Sequence, residues 1–111
     1  PGHRKPRCVY VDFLNTGPAV AKCLRTQIVH NAEVTRISGL LITEVVVEDG
    51  VVVGAVGFNL ADQTPVTIAA KAVIIAAGGL TRLYSRNSAS ANMNGDGYAM
   101  ALRAGAELID M

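Results

Sequence analysis

Charge is scarce in this sequence and nearly balanced. Only 17% of its residues are charged and the formal net charge is +1, so nothing draws it generally to nucleic acid, a membrane surface or an acidic partner. The basic residues that do cluster, His3, Arg4, Lys5 and Arg7, read as a solvated terminal arm or as a group facing a phosphate. Cysteine is scarcer still. Cys8 and Cys23 are too few and too far apart for a metal site or a redox pair, which fits a reduced, cytoplasmic protein. No run approaches the roughly 18 apolar residues that cross a bilayer, so direct membrane insertion is not expected. The chain opens Pro-Gly-His-Arg with neither Met nor a signal peptide, an opening expected of a piece cut from something longer. Both phosphate-binding fingerprints, G-x-G-x-x-G and G-x-x-x-x-G-K-[ST], are absent.

What is present suits one folded domain. Of 111 residues, 50% are hydrophobic, which excludes disorder and leaves room for a single core. From Thr16 to His30, Val20, Cys23, Leu24, Gln27 and Ile28 recur at helical spacing. Thr16 is the expected cap, Pro18 the first-turn proline, Asn31 the stop, and Cys23 a buried thiol on the apolar face. A short strand is expected over Glu33 to Ser38. Leu40 to Val47 and Val51 to Asn59 read as strands joined by Asp49-Gly50, a hairpin signal because both turn positions need positive φ. A looser turn at Ala61-Asp62-Gln63 leads to a third strand, Pro65 to Ala69. The valines at 45–47 and 51–53 make both faces of this meander apolar, so something must cover the second face.

Downstream, Val73-Ile74-Ile75-Ala76-Ala77-Gly78-Gly79 reads as a buried strand ending in small residues. Thr81 to Asn94 reads as a long loop, of the kind that tends to be functional. A helix is expected from Asp96 to about Ala104, stopped by Gly105, then a strand over Glu107 to Met111. Two features there can carry a ligand. Small residues at the carboxyl end of a strand allow close approach to main chain, although glycines also serve a plain tight turn. Asn94-Gly95-Asp96-Gly97 opens a helix, where Asp96 serves either as an ordinary N-cap or as an acceptor for sugar or ribityl hydroxyls. Catalytic groups are lacking. His3 and His30 have no partner in the sequence pattern, Glu44, Glu48 and Asp49 read as solvated hairpin charges, and no nucleophile–base pair or metal-ligand cluster is visible. By residue chemistry this is a binding scaffold.

In order, Lys71 to Gly79, then Arg82 and Tyr84, then Gly95-Asp96-Gly97 running through Arg103-Ala104-Gly105 to Asp110-Met111 resemble the FAD-binding flavoprotein subunits of fumarate reductase and succinate dehydrogenase, with L-aspartate oxidase a relative. That family shows A-T-G-G, R-x-Y, T-G-D-G, an A-x-R-A-G helix and a D-M-E strand. Thr16-Gly17 before a helix and the Asp-Gly hairpin followed by Val53-Gly54 extend the likeness over nearly the whole chain. The resemblance implies an α/β fold: a partial FAD-binding domain, Rossmann-like and of the glutathione-reductase type, with a three-stranded antiparallel β-meander. It implies one such domain over residues 1–111, with the meander at about 40–69 and a cofactor-facing strand-loop-helix at about 71–111. FAD would run past Ala76, Ala77, Gly78 and Gly79, with Asp96 touching it or holding the loop that does, and with main chain near Ile42 offered to the adenine. Departures fall at Ala77 and Asn94, where the family has threonine, at Arg86-Asn87-Ser88-Ala89, where it has T-T-N, and at Leu14, where it has an acidic residue. The family's pyrophosphate turn, H-P-T segment and proton-donating arginine have no counterpart here. The isolated chain is therefore expected to bind FAD weakly or not at all and to lack activity. The longer protein would reduce or oxidise a dicarboxylate. A non-enzymatic module that self-associates through exposed sheet surfaces is the alternative.

Overall fold

The computed structural model describes residues 4, 5 and 8–110. His3, Arg7 and Met111, invoked above, lie outside the described residues. The chain divides into two compact units, Pro1–Ser38 and Gly39–Met111.

The first unit is built on α1, Asp12–His30. It starts a turn earlier than its periodicity predicts, with Val11 at the cap position. Thr16 is not the cap but serves the same end from within the helix: its hydroxyl accepts from the Val11 N–H at 2.9 Å and donates back to the Val11 carbonyl at 3.3 Å. Pro18 consequently sits inside the helix rather than in its first turn, where it leaves the Leu14 carbonyl without an i+4 donor. The stop is where it was expected. The Asn31 N–H reaches the Ile28 carbonyl, and its side chain accepts from the Glu33 N–H at 3.0 Å. That turn consumes the start of the strand expected over 33–38, and none of those residues joins a ladder. Cys23 is exposed, not buried, and Val20, Leu24 and Ile28 likewise stay open to solvent. A lone helix offers no second apolar layer to cover its stripe.

The second unit holds the sheet. Strands β1 (Leu40–Glu48), β2 (Val51–Asn59) and β3 (Pro65–Ala69) form an antiparallel meander in the order β1-β2-β3, as the patterning predicts. Asp49 and Gly50 take φ of 49° and 78°, the two positive angles that a tight two-residue hairpin needs. On β2, a Cβ at Gly54 would fall on the Ile68 carbonyl and one at Gly57 on the Leu41 carbonyl. The neighbouring strands close in over these two positions, and Ala55 between them is the buried hydrophobic side chain among the described residues. The register of β1 against β2 jumps from Ile42↔Gly57 to Glu44↔Val56, so Thr43 is a bulge residue without a ladder partner. At the β2–β3 turn, the Asp62 carboxylate accepts from the Thr64 hydroxyl at 2.7 Å and from its N–H at 3.1 Å. Those bonds hold its pKa below the ordinary carboxylate value.

Residues 71–80 join no ladder, so the strand expected at Val73–Ala77 is not formed. Nor is it buried: Ile74 is 92% exposed. A buried strand needs ladder partners and cover on its faces, and the described residues supply neither. Thr81 to Asn94 is a loop as expected, entered by a single 3-10 turn at Thr81–Leu83 and closed at its base by the Arg82 N–H donating to the Met93 carbonyl at 3.1 Å. Helix α2 spans Asp96–Arg103. Gly105, at φ 88°, ends it. The Gly105 N–H bonds the Leu102 carbonyl and the Ala106 N–H the Ala101 carbonyl, both at 3.0 Å, a paired closure that satisfies the last carbonyls. Residues 107–110 join no ladder either.

Candidate functional site

The small-residue segment and the acidic helix start meet. The Gly95 N–H donates to the Gly79 carbonyl at 3.2 Å, tying the end of the 71–80 segment to the entry of α2. Gly95 caps that helix at φ 87°, a left-handed angle that favours glycine. Asp96 is therefore the first helical residue rather than the cap, which corrects the N-cap expectation. Its side chain makes no capping bond and is exposed. One residue on, Gly97 is buried. A Cβ there would lie 3.0 Å from Ile75 Cγ2 and 3.1 Å from Ala77 Cβ, so glycine is what lets the helix touch the segment. Gly78 takes φ of 79°, a left-handed angle that turns the chain.

Three concavities surround this junction. One, of about 340 Å³, is lined by Ile75, Ala76, Ala77, Gly78, Gly97, Tyr98, Ala101 and Leu108. A larger apolar one, of about 470 Å³, opens between the meander and the 70–77 segment, with Ile42, Val45, Ala55 and Ile68 on its sheet side and Met100 of α2 also lining it. The third is a groove of about 400 Å³ between β1 and α2, lined by Leu41, Ile42, Thr43, Asp96, Ala99, Met100 and Arg103. All three fall in the size range of small-molecule sites. Of the six residues singled out from the sequence, Ala76, Ala77 and Gly78 line the first, Ile42, Ala76 and Ala77 the second, and Ile42 and Asp96 the third. Gly79 lines none of them, and its carbonyl acts as the tie to Gly95.

Sequence reasoning missed two participants. Tyr98 contributes an aromatic wall to the first cavity. Arg103 crosses from α2 to β1, where Nη2 donates to the Thr43 carbonyl at 2.9 Å and Nε lies 3.5 Å from the Glu44 carboxylate. Glu44, read as a solvated hairpin charge, is thus half of an exposed ion pair. No local signal links positions so far apart in the chain.

The donor set suits a flat, largely apolar ligand held by main chain. Small side chains at 76–79, glycines at 95 and 97 and the first N–H groups of α2 leave backbone within reach. Nothing suits a metal: among the described residues no three His, Cys, Asp or Glu side chains gather. Nor is any described helix long and apolar enough to cross a membrane.

These features define a binding scaffold built on exposed main chain. The sequence profile described as FAD binding domain matches residues 1–111; the chain belongs to that family, and FAD is its cofactor. It is 36% identical to one chain of the fumarate reductase (CoM/CoB) of Methanothermobacter marburgensis, over 94% of its own length and 18% of that relative. Identity with an L-aspartate oxidase of Xylella fastidiosa is 30%, over 98% of this chain and 21% of the relative. The fumarate reductase flavoprotein subunit of Escherichia coli is 38% identical over 71% of this chain and 13% of its own length. The chain thus spans about a fifth or less of the curated relatives it matches. No solved structure matches it.

Proposed function

We propose that this chain is the cofactor-side part of a longer FAD-dependent oxidoreductase of the fumarate reductase and succinate dehydrogenase type, and that alone it does not catalyse. The observation that carries the reading is the bond from Gly95 to Gly79 with Gly97 pressed on Ile75 and Ala77. It brings both ligand-competent segments to one place. Main chain of Ala76, Ala77, Gly78 and Gly79 lies against the cofactor. Asp96, exposed at the helix start, accepts hydrogen bonds from its sugar or ribityl hydroxyls, and main chain at Ile42 takes the adenine. When bound, FAD supplies the capacity to accept and return hydride; the chain's residues hold and orient it. The grip on a dicarboxylate substrate belongs to other parts of the longer protein, since no cluster of acid, base or nucleophile stands at these cavities. Free, exposed Cys8 and Cys23 suit a reducing, cytoplasmic setting.

Flavin fluorescence titration tests the reading in two arms. The 111-residue chain alone is expected to bind FAD weakly or not at all, because it carries no pyrophosphate turn. The longer flavoprotein is expected to retain FAD and to lose it on Gly97→Val. Tight stoichiometric binding by the chain alone, or unchanged retention in Gly97→Val, overturns the proposal.

One observation favours a second reading. Ile74, at 92% exposed, sits on a β-prone segment that joins no ladder among the described residues, which is a template for pairing with another chain. A self-associating module predicts a dimer or larger species of the 111-residue chain by light scattering; a strict monomer removes it.

A further inference from the structure

The clasp between α2 and the bulge of β1 assigns a role to a residue outside the cofactor-facing segments. The bulge leaves Thr43 out of the ladder register, between Ile42↔Gly57 and Glu44↔Val56, so its carbonyl has no strand donor. Its hydroxyl is engaged with the Val56 carbonyl at 3.3 Å, which pins the bulge to β2. Arg103 Nη2 takes the freed Thr43 carbonyl at 2.9 Å. That bond joins the last turn of α2 to the residue next to Ile42, while the first turn of the same helix carries Asp96. Ile42, Asp96 and Arg103 line one groove.

We infer that Arg103 is a positioning residue for the cofactor: by holding α2 on the β1 bulge it sets the separation of Ile42 and Asp96, and hence the distance between the places offered to the adenine and to the hydroxyl-bearing part of FAD. The inference rests on the function proposed above. Its working element is the charged donor on a carbonyl, not the ion pair. Side chains of Arg103 and Glu44 are 52% and 59% exposed, so the pair is screened by solvent and adds little. A guanidinium bonding a carbonyl is charge-assisted and directional.

The experiment compares FAD dissociation constants in the longer flavoprotein for wild type, Arg103→Met, Arg103→Lys and Glu44→Gln, with Gly97→Val as the control that loses FAD. Methionine keeps an apolar stem without the donors. Arg103→Met is expected to weaken FAD about fivefold while the circular dichroism of the apoprotein is unchanged. Arg103→Lys, which can still donate to the carbonyl, recovers most of that loss, and Glu44→Gln stays within about twofold of wild type. Overturning results are Arg103→Met binding like wild type, Arg103→Lys no better than Arg103→Met, or an Arg103→Met protein that does not fold, which would make the contact one of general stability. The two ideas fail separately. A wild-type protein without FAD sinks the functional reading, whereas FAD retained by wild type, lost in Gly97→Val and indifferent to Arg103 sinks only this one.

Discussion

The meander and the 71–80 segment are made of the same kind of residue and end in different states. Val45-Val46-Val47 and Val51-Val52 have ladder partners across β1 and β2, while Val73-Ile74-Ile75 is equally β-prone but joins no ladder. The difference lies in distance along the chain. Asp49-Gly50 brings a partner to β1 within two residues, and the Asp62–Thr64 turn does nearly as much for β3. No turn delivers a partner to residue 74. Side-chain pattern sets an extended backbone; a neighbour within reach makes it a strand.

That contrast can be broken most forcefully from the meander's side. Gly54→Val puts a side chain onto the Ile68 carbonyl and is expected to cost about 3 kcal/mol or more, enough to part β2 from β3. Denaturant unfolding of the variant measures it, and unchanged stability would mean that the strands do not close on Gly54. Amide exchange sharpens the comparison next. Residues 52–57 should exchange at least about tenfold more slowly than residues 73–77, because ladder bonds must open first. Equal rates would show that the segment finds partners in solution. Gly50→Ala forces a side chain into φ of 78° and should lower stability by about 1 kcal/mol, read as a shift in the unfolding midpoint.

The smallest effect concerns the second turn and its pH dependence. The Asp62 pKa is depressed in the folded protein by the Thr64 hydroxyl, then by the Thr64 N–H. A depressed carboxyl contributes its stability above the unfolded value and loses it as pH falls through the folded one. Acidification below the ordinary carboxylate range should therefore loosen residues 59–65 slightly, and Asp62→Asn should remove that dependence. A carbon-detected titration of the Asp62 carboxyl with an ordinary midpoint would count against the turn as described.

How much was legible follows the same division. Both helices, the three meander strands, the Asp49-Gly50 hairpin and the Gly105 stop could be read along the chain because their causes are local: period, positive φ and a left-handed helix end. The errors at α1 come from a competing local bond. Thr16 looked like a cap because threonine caps helices, yet it bonds Val11 from within and lets the helix start at Asp12. The strands expected at 33–38 and 73–77 failed for want of partners, which no local pattern reveals. At the site, the two glycine-bearing segments were legible as separate pieces. Tyr98 as a cavity wall and Arg103 as a clasp were not, since each gains meaning from a residue distant in sequence.

By itself, then, the order of residues determined where the backbone turns, which stretches extend, and that this chain is kin to FAD-binding flavoproteins, because those depend on spacing and on side chains acting within a few positions. Only the tertiary structure decided that Gly95 meets Gly79, that Gly97 packs on Ala77, and that Arg103 grips the unpaired carbonyl of Thr43. Contacts between remote positions are selected by packing and by which hydrogen-bonding groups the ladders leave free, and neither is written in any single stretch of sequence.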